Sequence, residues 1–186
     1  MATTADDLKG GVSARLPGPR VINLLGFLAC SGMMGYALYA EYQLYMEPCP
    51  LCVFQRMAVI GLGIFFLLAA LHNPSGKTGR AVYGGGMLVA ALAGIGVAGR
   101  HVWLQSLPPE KVPACGPGFG YIIDSFPLSD ALAMIFTGSG ECATVDWSFL
   151  GLSMPAWVLI SVTVLGAVGV WNNVLRKPAV RSAAAA

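Results

Sequence analysis

The stretch Val53-Phe54-Gln55-Arg56-Met57-Ala58-Val59-Ile60-Gly61-Leu62-Gly63-Ile64-Phe65-Phe66-Leu67-Leu68-Ala69-Ala70-Leu71 carries a single charge, on Arg56, in 19 residues. Roughly 20 mostly apolar residues are enough for a helix to cross a bilayer, and residues 21–40, 81–99 and 155–172 are three further stretches of that kind. The whole chain of 186 residues is 56% hydrophobic and 11% charged, with a mean hydropathy of +0.68, far from the balance of a soluble domain. These numbers predict an all-α membrane protein, a four-helix transmembrane bundle. The expected organisation is an N-terminal segment over 1–20, a membrane domain over 21–172 with outer loops at 41–52 and 100–154, and a tail over 173–186. No room is left for a separate soluble domain. The first apolar stretch reads as a retained helix, because it is long, opens well inside the chain and lacks a clear small-residue cleavage site before Cys49.

A formal net charge of +2 is too small to indicate nucleic-acid binding, and its distribution says more than its sum. Lys9, Arg15 and Arg20 precede the first span, Lys77 and Arg80 lie between the second and third, and Arg176, Lys177 and Arg181 follow the fourth. The positive-inside rule makes these regions cytoplasmic, with both termini inside. Glu41, Glu47, Glu110, Asp124, Asp130, Glu141 and Asp146 then fall on the outer side. Of 5 cysteines, Cys49, Cys52, Cys115 and Cys142 lie on that outer side and Cys30 lies within the first span. Disulfides persist outside the cytoplasm, and four thiols there fit two bridges. Cys30 reads as a small apolar residue in a helix.

The terminal segments are polar or small-residue tails in which no chemistry is expected. Residues 72–76, His72-Asn73-Pro74-Ser75-Gly76, form a turn that permits only an antiparallel hairpin of helices, with His72 a solvated turn residue. Gly84, Gly85, Gly86, Gly94, Gly96 and Gly99 in the third span predict close helix packing. In the long loop, Pro108, Pro109, Pro113, Gly116, Pro117, Gly118 and Gly120 argue against regular structure around Cys115. Ser129 is the expected cap of a short interfacial helix reaching Phe136, stopped by Gly138 and Gly140. The aromatic run from Trp147 to Trp157 suits the membrane surface, as an interfacial segment or an anchoring belt.

The chemistry gathers at Cys49-Pro50-Leu51-Cys52. Pro48 and Pro50 keep Cys49 extended, and Val53 onward reads as helix, so Cys52 is expected at or near a helix N-terminus, where unpaired N–H groups and the helix dipole favour a thiolate. Arg56, four residues on, projects from the same face. An arginine inside a span costs about 2.5 to 3.5 kcal/mol at the helix centre. A thiolate or ligand oxyanion at roughly 4 Å returns about 4 kcal/mol at an effective dielectric near 20; headgroup phosphates are the alternative partner. The Cys-x-x-Cys spacing fits a redox pair or half a zinc site. Because Cys115 and Cys142 make no second tight knuckle, the spacing argues against structural zinc, and no metal is expected. A structural bridge between those two would close a loop of roughly 28 residues, worth about 3 to 4 kcal/mol in the chain-entropy model, and that alternative stays open.

With these residues laid out, the chain resembles the bacterial disulfide bond formation protein B family, DsbB. The resemblance rests on Pro48-Cys49-Pro50-Leu51-Cys52 with Arg56, on Arg100-His101-Val102-Trp103-Leu104-Gln105, on the Pro-rich approach to Cys115, on Gly140-Glu141-Cys142-Ala143, and above all on Trp147-Ser148-Phe149-Leu150-Gly151-Leu152-Ser153-Met154-Pro155-Ala156-Trp157. It implies an inner-membrane, multi-pass bundle with a long periplasmic loop that reoxidises a soluble DsbA-like dithiol protein and passes electrons to ubiquinone or menaquinone. It further implies two redox-active disulfides, Cys49–Cys52 and Cys115–Cys142, with Cys115 attacked by the partner and Cys52 next to the quinone. Arg56 would bind a quinone oxygen, His101 would sit near the quinone head, just past the third span, and Met154 would help line the pocket. Two departures are modest: Gln55 lies where an acidic residue can precede the arginine, and Pro50 fills a variable position between the cysteines.

Two rival readings stand beside this expectation. A vitamin K epoxide reductase-like enzyme usually carries its Cys-x-x-Cys on a late span, whereas here it comes early. A non-catalytic membrane scaffold with two structural bridges would hold thiols that do not turn over with quinone.

Overall fold

The computed structural model describes residues 17–114, 119–138, 140–145 and 147–176. Four long helices dominate it: α1 (Pro19–Gln43), α2 (Pro50–His72), α3 (Lys77–Gln105) and α6 (Met154–Val170), the last running on through a π-helical turn, Trp171–Leu175. Each is long and apolar enough to cross a membrane. Two short helices, α4 (Phe119–Ser125) and α5 (Leu128–Thr137), and a two-stranded hairpin of β1 (Ser148–Phe149) and β2 (Leu152–Ser153) lie between α3 and α6.

Proline sets the starts of three long helices. Pro19, Pro50 and Pro155 each occupy the first turn, where the missing N–H is one that the helix leaves unpaired anyway. α2 ends at His72, which is therefore helical rather than part of the turn, and its Nδ1 bonds the Tyr83 hydroxyl at 2.7 Å. Asn73 follows in the left-handed region at φ 43° and donates its N–H to the Ala69 carbonyl, and Pro74 prevents continuation. α3 has 29 residues, about 44 Å at 1.5 Å per residue. It outlasts the apolar stretch at 81–99 and carries Arg100, His101 and Gln105 as helical residues. His101 thus lies within the third helix and is buried, not beyond it.

α1 packs on α2, α2 on α3 and α3 on α6. In hydrocarbon these contacts come from close shape rather than from expulsion of water. A Cβ added at Gly26 would lie 2.6 Å from the Phe66 ring, at Gly86 2.3 Å from Phe65, and at Gly166 2.4 Å from the Ala91 Cβ. The third-helix glycines divide: Gly84, Gly86 and Gly94 are at close approaches, whereas Gly85, Gly96 and Gly99 face open space. One buried cluster joins Cys30, Val59, Leu62, Phe66, Met87 and Val162 across the bundle. Outward faces are apolar too, with Leu25, Met57, Ile64 and Val89 all exposed, as lipid contact requires.

At the end of the bundle that holds the 73–76 turn, three buried asparagines tie the first helix to the last. Asn23 Oδ1 accepts from Asn172 Nδ2 and Asn173 Nδ2, both at 3.0 Å, and Asn172 Nδ2 also donates to the Pro19 carbonyl at 2.9 Å. At the opposite end a second cluster, Leu51, Val97, Leu104, Ile122, Ile135 and Cys142, seats the short helices on the tops of α2 and α3.

The connecting region differs from expectation in two places, and in a third it takes a form that composition did not specify. Ser129 does not cap its helix: α5 begins one residue earlier, Pro127 is the N-cap, and the Ser129 hydroxyl donates to Asp130 Oδ1 at 3.4 Å. Regular structure enters the proline-rich and glycine-rich run, as a 3-10 turn over Pro109–Lys111 and as α4. The aromatic run, expected as a surface segment or an anchoring belt, begins as the hairpin, turning at Leu150 (φ 53°) and Gly151 (φ 78°). Two central residues with positive φ make the tight turn that matches strand twist. Trp157 Nε1 donates to the Phe149 carbonyl at 3.1 Å, and Trp147 stacks on Phe149, which fixes the hairpin against the start of α6.

Candidate active site

Cys49 is the N-cap of α2, with φ −66° and ψ 162°, and its carbonyl accepts the Val53 N–H at 3.3 Å, so Cys52 sits in the first helical turn. One turn of helix brings the two sulfurs 3.1 Å apart. A disulfide bond is about 2.05 Å long, so the pair is held here as two thiols in contact. Gln55, three residues after Cys52, faces inward and is buried. Its Nε2 donates to His101 Nδ1 at 2.9 Å across the α2–α3 interface. His101 Nε2 lies 3.8 Å from Cys49 Sγ, and its Nδ1 4.0 Å from Cys52 Sγ. With Gln55 donating to Nδ1, the ring proton resides on Nε2, on the Cys49 side.

Arg56 turns the other way, toward α1. It forms an ion pair with Glu41 and donates from NH2 to the Ala37 carbonyl at 3.2 Å. The sequence offered a thiolate, a ligand oxyanion or headgroups as its partner; the structure supplies a carboxylate from the preceding helix. Glu41 was missed because its value depends on the α1–α2 packing, not on any local spacing. Gln105, one helical turn beyond His101, was also missed. It accepts from the Ser153 hydroxyl at 2.6 Å and donates to the Thr144 carbonyl at 3.4 Å, so it holds both the hairpin and the chain after Cys142 against α3.

Cys142 ends a 3-10 turn, Gly140–Cys142, and is buried with Leu51 and Leu104, with Cys49 packed against the same cluster. Cys115 lies outside the described residues, as do Asp146 and the charged ends at 1–16 and 177–186. The Gly140 N–H donates to the Ala114 carbonyl at 3.3 Å, which joins the chain just before Cys142 to the residue preceding Cys115. Cys30 is 3% exposed and packs in the bundle core, apart from these groups.

A cavity of about 800 Å³ opens beside the pair, and Cys49, Cys52, Arg56, His101, Gln105 and Met154 all line it. Its size matches that of pockets that take small organic ligands. Met33, Met34 and Val158 give it apolar walls. Two vicinal thiols, an imidazole and a guanidinium therefore face one largely apolar chamber, a setting suited to thiol redox chemistry. A family model described as disulfide bond formation protein DsbB matches residues 19–172. The chain belongs to the DsbB family. Curated relatives named "Disulfide bond formation protein B" agree: that of Nitrosococcus oceani is 50% identical over 153 residues, 82% of this chain and 90% of its own length. The Chromobacterium violaceum protein is 53% identical over 147 residues, 77% and 88% respectively, and the Methylococcus capsulatus protein 50% over 160 residues, 84% and 97%. DsbB membership places the chain among disulfide-forming membrane oxidoreductases.

Proposed function

We propose that the protein is a quinone-dependent thiol oxidase of the bacterial inner membrane, which reoxidises a periplasmic DsbA-like dithiol protein and sends the electrons to ubiquinone or menaquinone. The observation that carries this reading is the shared chamber, in which the Cys49–Cys52 thiols, His101 and Arg56 face one apolar cavity. In the proposed cycle the partner's thiolate attacks Cys115 of a Cys115–Cys142 disulfide, forming a mixed disulfide and releasing the Cys142 thiolate. The second partner thiol resolves that bond and leaves oxidised, so two electrons now reside on Cys115 and Cys142. Exchange through mixed disulfides passes them to the Cys49–Cys52 disulfide, restoring the outer one.

A bound quinone supplies the final acceptor, taking two electrons and two protons. The chain's own groups prepare the acceptor site. Cys52 would supply the electrons from the chamber side, Arg56 would attract negative charge on a ligand oxygen, and the His101 N–H on Nε2 would serve as a hydrogen-bond donor beside Cys49. Met154 and the apolar walls keep water from the ring. Arg56 can do this while paired to Glu41, because a guanidinium has five donors and Glu41 and Ala37 use part of that fork.

The test is oxidation of a reduced DsbA-like protein by the purified, full-length chain, with and without added quinone. Turnover that requires quinone is expected; identical rates in both, or thiols that never change, would leave a scaffold with structural bridges. Order within the relay is read separately. In a Cys142→Ala variant the partner should accumulate as a covalent adduct on Cys115, visible as a reductant-sensitive band, and its complete absence with partner present would remove Cys115 from the entry role.

A further inference from the structure

Cys49 Sγ, Cys52 Sγ and a ring nitrogen of His101 lie within 4.8 Å of one another. A tetrahedral ion with metal–sulfur bonds of about 2.3 Å and a metal–nitrogen bond of about 2.05 Å holds its sulfurs roughly 3.8 Å apart and each sulfur roughly 3.6 Å from the nitrogen. The Cys49 Sγ to His101 Nε2 separation of 3.8 Å is already close to that figure. The sulfurs, 3.1 Å apart, need to open by only about 0.7 Å to reach it, a movement within side-chain rotation.

We propose that the dithiol form of this pair is a binding site for a thiophilic divalent cation of the zinc class, with Cys49, Cys52 and His101 Nε2 as ligands and the fourth position open to the cavity. The donor set is soft, two thiolates and an imidazole, which selects zinc or cadmium over magnesium or calcium. Three protein ligands and an open position distinguish it from the closed four-cysteine structural site that the cysteine spacing argues against. The outer shell is also in place. Metal-bound histidines carry the proton on their other nitrogen and give it to an acceptor. Gln55 is at 2.9 Å from Nδ1, and turning its amide over presents the carbonyl oxygen there.

Binding forms two metal–sulfur bonds and one metal–nitrogen bond, with the ring proton passing from Nε2 to Nδ1, and releases the two thiol protons; no electrons move. The disulfide form offers no thiolates, so the site exists only while the pair is reduced. A bound cation withholds both sulfurs from exchange and occupies the chamber mouth beside them, which makes zinc a reversible inhibitor of the reduced protein. The site requires only the dithiol and His101, so it stands or falls independently of quinone as the acceptor.

The experiment titrates Cd²⁺ into the full-length chain carrying Cys115→Ser and Cys142→Ser, reduced and kept without oxygen, and reads thiolate-to-cadmium absorption and proton release. One cadmium per chain is expected, displaced by Zn²⁺ and abolished by prior oxidation of Cys49 and Cys52. His101→Ala should weaken binding by at least tenfold, and Gln55→Leu by about tenfold, the effect usual for an outer-shell partner. No absorption from the reduced protein, or binding undiminished in His101→Ala, overturns the proposal, the latter by reducing the site to a bare dithiol chelate. Should His101→Ala fail to fold, cadmium NMR of the parent decides: a shift for two sulfurs and one nitrogen supports the site, and one lacking nitrogen overturns it.

Discussion

Arg56 illustrates how a single residue is set by what it must serve. Buried alone in a span it would be costly, and Glu41 offsets that cost while drawing the guanidinium away from any oxygen in the cavity. The two roles compete, so substitutions at the two positions should act with opposite sign. Arg56→Gln is expected to lower kcat/KM for quinone by about a hundredfold, the usual scale for removing a preorganised charge donor. Glu41→Gln frees the guanidinium and is expected to lower KM for quinone. That gain is bounded near fivefold, because both side chains are partly exposed and such pairs are worth up to ~1 kcal/mol. Quinone titrations of both variants are the measurement; a rise in KM for both would place Arg56 in structure rather than in ligand contact. At this scale motif and resemblance pointed to residues that the structure brings together, but not to their partners. Cys49, Cys52, Arg56, His101 and Met154 were all legible from motif and resemblance, and they line one cavity. Glu41 and Gln105 were not, because their partners come from other helices or from a loop, and no local period encodes that distance. Gln55 registered only as a departure, although its spacing of three from Cys52 already placed it on the neighbouring face.

At the level of elements, the four long helices were readable because the bilayer imposes one simple rule on them, sustained apolarity over a fixed length. Their ends were less so: α3 continues to Gln105 because hydrogen bonds to the loop and hairpin reward extra turns, which hydropathy does not register. The segment between α3 and α6 was least readable. Helices of 7 and 10 residues and strands of two are too short to show a period, and the Leu150 turn adopts a conformation that leucine rarely takes. Helix contacts offer a sharper test. Gly166 meets Ala91 so closely that an added Cβ would lie 2.4 Å away, whereas Gly85 faces nothing within 4 Å. Gly166→Val should therefore destabilise the bundle by about 1 to 3 kcal/mol, and Gly85→Val should not. Adding Ala91→Gly to Gly166→Val should recover more than about 0.5 kcal/mol beyond additivity. Thermal unfolding in detergent of the parent, Gly85→Val, Gly166→Val, Ala91→Gly and the double variant reads both effects, and strict additivity would mean that α3 and α6 do not meet at this pair.

For the whole molecule, the two ends of the bundle differ in charge as sharply as they differ in chemistry. Eight of the eleven Lys and Arg residues fall in the terminal segments or in the first turns of α1 and α3, while seven of the nine acidic residues fall between Glu41, near the end of α1, and Pro50, or between α3 and α6, on the cysteine side. The start of α1 and the end of the last helix lie at the same end of the bundle as the 73–76 turn, where the buried asparagine ties from Asn23 to Asn172 and Asn173 hold the first and last helices together. The positive-inside bias acts on basic residues close to the spans, and Arg20, Lys77, Arg80 and Arg176 all meet that condition. The expected orientation therefore has the basic end in the cytoplasm and the cysteine cavity facing an oxidising compartment, the only side on which a disulfide relay could be maintained. Single reporter cysteines test this directly in a chain otherwise lacking reactive thiols. Glu110→Cys should react with a membrane-impermeant maleimide in cells whose outer membrane has been opened. Ser75→Cys should react only after the inner membrane is also permeabilised. Labelling of position 75 in intact inner membranes would invert the topology, and with it the assignment of the cavity to the side where a soluble dithiol partner can reach it.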